Sequence, residues 1–77
     1  MDEPVIRQAE MLHVTLNGKL RSIETGTTVS GLLEQLELQD RLVVVERNGA
    51  ILRRPDFGTT ALLSGDVLEI VHFVGGG

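Results

Sequence analysis

The chain has 77 residues, 42% of them apolar, and this length accommodates a single domain. It contains no cysteine, which excludes a disulfide framework and a thiolate zinc site. The formal net charge of −4 argues against nucleic acid as a partner. No apolar run approaches the roughly 20 residues of a membrane span, and we expect a cytoplasmic protein.

The first ten residues, MDEPVIRQAE, are polar and show no clean hydrophobic period. They also lack the basic start and the apolar stretch of a signal peptide. We predict a flexible N-terminal extension over residues 1–10, a folded domain over residues 11–74 and a flexible glycine tail over residues 75–77.

A hairpin of two strands is predicted directly after this extension. In MLHVTL, apolar residues alternate with polar ones, which is the period of a half-buried strand. Asn17-Gly18 follows and favours a tight turn, so the chain should return as a strand over about Lys19 to Glu24. Within that strand, Leu20 and Ile23 cannot share a face without a bulge.

A helix is predicted from about residue 29 to residue 38. Its apolar residues recur at the spacing of one helix face: Val29, Leu32, Leu33 and Leu36. Thr28 suits the N-cap position because its hydroxyl can accept a backbone N–H that has no partner inside the helix.

Three further strands are predicted in the remaining chain. RLVVVE is a β-branched run typical of a strand, Asn48-Gly49 predicts a turn, and AILR is a short strand. Residues 53–60 contain a proline and a glycine, which predict irregular structure. Gly65-Asp66 predicts a turn before the last strand, VLEIVHF, and the tail VGGG.

The predicted order of elements is therefore β-β-α-β-β-β. This order indicates an α+β fold in which one main helix packs on one face of a mixed sheet. It is the plan of the β-grasp, or ubiquitin-like, fold.

No pattern in the body of the domain indicates catalysis or a resident metal. His13 and His72 lie on different predicted strands, and two histidines alone make a poor metal site. The HExxH motif and the Walker loop are both absent, and the serines suit capping or solvated positions. We expect a protein that is not an enzyme by itself.

The C-terminal stretch VGGG is the remaining candidate for chemistry. Four extended residues reach about 13 Å, and glycine enters a narrow slot because it has no Cβ. The carboxylate of Gly77 is also sterically open. These properties suit a tail that is modified inside another protein's active site, whereas the alternative is a frayed chain end.

Four stretches, NGK, TTVSGLLEQL, VVVERNGAILRR and SGDVLEIVHFVGGG, occur in this order and end at glycine. Through them, residues 11–77 resemble the ThiS-type sulfur carriers of thiamine thiazole biosynthesis, a ubiquitin-like family related to MoaD. The family's terminal diglycine maps onto Gly76 and Gly77.

The resemblance implies that the Gly77 carboxylate is adenylated and converted to a thiocarboxylate, with Gly75 and Gly76 threading into the partners' sites. It implies three partners: a ThiF-like adenylating enzyme that uses ATP and magnesium, a persulfide sulfur donor of the cysteine desulfurase type, and a ThiG-like thiazole synthase. The chain itself would be a co-substrate of these enzymes and would bind no cofactor by itself.

Alternation along the last strand predicts a docking surface beside the tail. Glu69, Val71 and Phe73 should face outward, and Leu68 and Ile70 should face the core. Exposed apolar side chains next to the tail suit the docking of a partner. The predicted docking residues are Val44, Val71, Phe73 and Val74.

Three alternative functions remain open. A MoaD-like small subunit of molybdopterin synthase shares the fold and the tail, although the proline that such subunits usually carry before Ala-Gly-Gly is absent here. A ubiquitin-like modifier would be joined to lysines through Gly77. A non-catalytic interaction module would carry an inert tail.

Overall fold

The computed structural model describes residues 10–73 of the chain. The strands are β1 (Met11–Leu16), β2 (Lys19–Glu24), β3 (Val43–Arg47), β4 (Ala50–Leu52) and β5 (Val67–His72). Helix α1 (Val29–Gln35) precedes β3, and a 3-10 helix (Arg54–Asp56) follows β4. The predicted order and the α+β class are confirmed. The boundaries predicted for the N-terminal extension and the glycine tail fall at or beyond the ends of this range and stay predictions.

The five strands form one mixed sheet in the order β2-β1-β5-β3-β4. The central strands β1 and β5 are parallel, and the other neighbouring pairs are antiparallel. Parallel strands need a crossover connection, which the segment containing α1 supplies. The mixed sheet with one main helix confirms the β-grasp plan that the order of elements predicted, and the strand order adds the detail that this plan left open.

The core lies between α1 and the inner face of the sheet. Its buried side chains are Val14, Ile23, Val29, Leu32, Leu33, Val43, Val45, Phe57, Leu62, Leu68 and Ile70. Two of them, Phe57 and Leu62, come from the irregular segment between β4 and β5. Backbone carbonyls of the same segment cap α1, because Val29 N–H donates to Thr60 at 3.0 Å and Ser30 N–H donates to Phe57 at 3.0 Å. The segment is therefore part of the folded core.

Leu20 and Ile23 of β2, whose spacing does not allow them to share a face of a regular strand, lie on opposite faces of the sheet. β1 and β2 pair residue for residue from Met11↔Glu24 to Leu16↔Lys19. Ile23 is 1% exposed on the inner face, whereas Leu20 is 73% exposed on the outer face. The strand keeps its regular alternation because Leu20 is left in solvent.

Helix α1 ends three residues before the predicted end at residue 38, so that boundary is wrong. Thr28 caps its N-terminus as predicted, with its hydroxyl accepting Gly31 N–H at 3.1 Å. At the C-terminus Glu37 takes a positive φ of 59°, while Leu38 N–H donates to Leu33 and Glu37 N–H to Glu34. These two bonds form a Schellman motif, which folds Leu38 back onto the core. Among residues 10–73, no helix is long and apolar enough to cross a bilayer.

Candidate functional site

Strand β5 carries predicted docking residues and leads toward the C-terminal glycines. Its register with β3 places Val71 directly opposite Val44. Val71 is 56% exposed, Phe73 52% and Val44 39%, whereas Leu68 and Ile70 are buried. The predicted alternation is therefore confirmed, and the docking role of Val44, Val71 and Phe73 stays a prediction. Val74, Gly75, Gly76 and Gly77 lie outside the described residues.

The side chain of Asn17 holds the C-terminal half of β5. Strand β1 ends at Leu16, and the Asn17 N–H donates to the Leu68 carbonyl at 2.9 Å. The Ile70 N–H then donates to Asn17 Oδ1 at 2.8 Å, and Asn17 Nδ2 donates to the Ile70 carbonyl at 3.2 Å. The side-chain amide thus acts like one further peptide group of β1 and continues the hydrogen bonding between β1 and β5 beyond the end of β1.

The sequence predicted only a turn role for Asn17. The turn role is confirmed, since Asn17 has a φ of 49°. The hydrogen bonding of its side chain to β5 was not predicted, although the residue type indicates it. Among the residues that favour this backbone conformation, asparagine has a side chain with both a donor and an acceptor in one plane, as a backbone peptide has.

Asp66 is a buried carboxylate at the start of β5. It accepts hydrogen bonds from Arg47 Nε at 2.9 Å, Asn48 Nδ2 at 3.0 Å and the Leu63 N–H at 2.9 Å. Burial raises the pKa of Asp66, but the bonds from Leu63, Asn48 and Arg47 outweigh it and hold the pKa below its usual value. With its oxygens occupied, this carboxylate is a structural anchor. The sequence predicted only a turn at this position.

A shallow cavity of about 340 Å³ lies on the helix side of the domain. Its lining consists of Ser30, Leu33, Glu34, Gln39, Arg41, Arg54 and Phe57. The Arg54 guanidinium lies 5.7 Å from the centre of the Phe57 ring, so it covers an apolar surface of the cavity. Of the predicted site residues that the structure describes, Val44, Val71 and Phe73 do not contribute to this lining.

The outer face of the sheet is the larger candidate surface. We use this term for the strand side chains opposite the core, together with Phe73 at the end of β5. The large apolar residues exposed there are Met11, Leu20, Val44, Ile51, Val67, Val71 and Phe73. Of these, Val44, Val71 and Phe73 lie on or directly after the adjacent strands β3 and β5, whereas Met11 and Leu20 lie on β1 and β2. Exposed apolar side chains that lie near one another are typical of a site of interaction with another molecule. Across the part of the chain that is described, no three His, Cys, Asp or Glu residues are arranged to hold a metal ion.

Comparison with known proteins gives a consistent result. The ThiS family profile matches residues 14–77. The sulfur carrier protein ThiS of Bacillus subtilis is 43% identical over 63 residues, which cover 80% of this chain and 96% of that protein. The crystal structure of the thiamine biosynthesis protein (ThiS) from Geobacter metallireducens matches with a TM-score of 0.69 at 36% identity, covering 86% of this chain and 100% of that one.

A second kind of relative is much longer than this chain. A thiazole synthase of Magnetococcus marinus is 42% identical over 66 residues, which cover 86% of this chain and 20% of that protein. The chain therefore spans about a fifth of the length of this relative. A segment similar to this chain is thus part of a larger polypeptide in that organism.

Proposed function

The chain belongs to the ThiS family, and we propose that it is a sulfur carrier that donates sulfur for thiazole synthesis. The observation that carries this proposal is the family match over residues 14–77, because it includes the three terminal glycines as well as the fold. In this role the chain is a co-substrate, and the reactive bonds are made by its partner enzymes.

The proposed chemistry takes place on the carboxyl group of Gly77. A carboxylate resists nucleophilic attack, so a ThiF-like enzyme with ATP and magnesium first converts it to an acyl-adenylate, releasing pyrophosphate. The terminal sulfur of a persulfide, supplied by a donor of the cysteine desulfurase type, then attacks the acyl carbon and displaces AMP. A thiol cleaves the resulting acyl disulfide, which leaves a thiocarboxylate on the chain.

The chain's own residues bind the partner enzyme and bring the Gly77 carboxylate to its active site. The exposed side chains of Val44, Val71 and Phe73, together with Val74, dock the domain on a partner. Gly75 and Gly76 fit the narrow approach to the partner's active site because they carry no Cβ. A ThiG-like thiazole synthase is the proposed acceptor of the sulfur, and the similarity to part of the Magnetococcus thiazole synthase supports this choice.

Intact-mass spectrometry tests the proposal. Incubation with the adenylating enzyme, ATP, magnesium and a sulfur donor should raise the mass by about 16 Da, because one sulfur replaces one oxygen. A chain that lacks Gly76 and Gly77 serves as the control, since it should keep its fold and gain no mass. If the full chain gains no mass with partners that thiolate another ThiS protein, the proposal is wrong.

A further inference from the structure

Two glutamates face each other at the centre of the outer face. Glu46 on β3 lies directly opposite Glu69 on β5. Side chains opposite each other in an antiparallel pair have Cβ atoms about 5 Å apart, and like charges in this arrangement are destabilising. The isolated domain therefore carries a local repulsion that its fold does not require.

Apolar side chains surround this pair of carboxylates. The pair Val44 and Val71 lies next to it along β3 and β5, and Ile51 lies opposite Glu46 on β4. Ile51 is 70% exposed. A partner that covers these apolar groups will also remove water from Glu46 and Glu69.

The described part of the chain does not neutralise the two carboxylates. Arg47 is adjacent to Glu46, but its side chain lies on the other face and its Nε contacts Asp66 at 2.9 Å. Between residues 10 and 73 this contact is the only ion pair, so Arg53, which follows β4, makes none with Glu46. The strand residues of the outer face include neither lysine nor arginine.

Resting on the sulfur-carrier function above, we propose that Glu46 and Glu69 receive an arginine side chain of the thiazole synthase. The planar guanidinium has five donors and can bridge two carboxylates, while apolar side chains around it cover Val44, Val71 and Ile51. A partner without such a cation would bury two unpaired charges, which is strongly unfavourable, so the pair also selects against wrong partners.

A second copy of the chain is a poor occupant of the same surface. In a symmetric dimer through the outer face, each copy would bring its own Glu46 and Glu69 toward those of the other copy. Like charges placed together across an interface are repulsive, and they suppress such pairing. The chemistry of the surface therefore favours a basic partner over self-association.

Glu69→Gln and Glu46→Gln test the proposal through two effects of opposite sign. Each variant should raise the melting temperature of the isolated domain, by roughly 1–4 °C, because the repulsion is removed. Each should also weaken binding to the thiazole synthase, by about tenfold or more, because the arginine loses a charged acceptor. Wild-type binding should weaken as the salt concentration rises.

Glu34→Gln is the matched control, since it makes the same charge change on α1, away from the outer face. It should leave the affinity for the thiazole synthase unchanged. Glu69→Lys extends the test. Its ammonium group pairs with Glu46, so the domain should stay folded. Binding should be nearly abolished, because a positive charge replaces one of the two carboxylates.

Two outcomes contradict the proposal in different ways. If the glutamine variants bind the thiazole synthase as tightly as the wild type or more tightly, docking uses the apolar side chains alone and the arginine site is wrong. The thiocarboxylate can still form in that case, so the sulfur-carrier function survives. If the wild-type chain neither gains sulfur nor binds the synthase, both proposals fail together.

Discussion

Replacing Asn17 tests whether one side chain holds the strand that precedes the glycine tail. Asn17→Gly is the informative change, because glycine accepts the φ of 49° and only the two side-chain bonds to Ile70 are lost. A net contribution of about 1 kcal/mol for each bond gives a loss of about 2 kcal/mol in unfolding free energy and a melting temperature about 10 °C lower. Urea and thermal unfolding measure both quantities.

A graded series separates hydrogen bonding from backbone strain at this turn. Asn17→Asp keeps the acceptor for the Ile70 N–H but puts a second carboxylate oxygen opposite the Ile70 carbonyl, so it should cost at least the one lost bond, about 1 kcal/mol. Asn17→Ala should be the least stable, because it loses both bonds and strains the turn. Amide hydrogen exchange at Ile70 should accelerate in the glycine variant. If Asn17→Gly unfolds like the wild type and exchange at Ile70 is unchanged, the amide does not hold β5.

Three further predictions concern other parts of the domain. The pKa of Asp66 is lower in the folded state than its usual value near 3.8. The ionised carboxylate therefore stabilises the fold above pH 3.8, and this stability is lost as the pH falls through the folded-state pKa. Unfolding free energies measured from pH 7 to pH 2 should fall less steeply below pH 4 for Asp66→Asn than for the wild type. Val71→Ser should weaken binding to the partner enzymes by about tenfold while leaving stability almost unchanged, and Leu20→Ser, at the opposite edge of the sheet, should bind normally in the same titration. Phe57→Ala should lower the unfolding free energy by about 3 kcal/mol in urea titrations, because a buried ring is lost from the core.

Local patterns were sufficient to predict the order of elements. The alternation in MLHVTL, the turn at Asn17-Gly18 and the N-cap at Thr28 are each decided by neighbours in sequence, and the structure has all three. The outward positions of Val71 and Phe73 follow from the same alternation. These features need no knowledge of distant contacts, which explains why sequence reasoning reached them.

Features that depend on tertiary contacts were not predicted. Glu37 ends α1 in a conformation that usually indicates glycine, and the core contact of Leu38 stabilises it there. Residues 53–60 were predicted to be irregular structure, yet Phe57 is buried and its carbonyl caps α1. The register that places Glu46 opposite Glu69 joins residues 23 positions apart, so no local pattern shows that they meet.

Both hairpin turns hold β5, which links the docking surface to the chemistry proposed for the tail. Asn17 and Asn48 each precede a glycine and have φ values of 49° and 53°. Asn17 bonds to Ile70, and the Asn48 Oδ1 accepts the Val67 N–H at 2.8 Å. At the end of the strand, the Phe73 N–H donates to the Leu42 carbonyl at 3.1 Å.

Strand β5 is therefore held on its β1 side as far as Ile70 and on its β3 side as far as Phe73. A partner that binds Val71 and Phe73 consequently binds a strand end that is held in place and is close in sequence to the glycines. In the proposed function, docking on the outer face would lower the entropy cost of bringing the Gly77 carboxylate to an active site, because the domain would already be positioned there. This coupling explains why a carrier without catalytic groups would still need a rigid domain beside its reactive end.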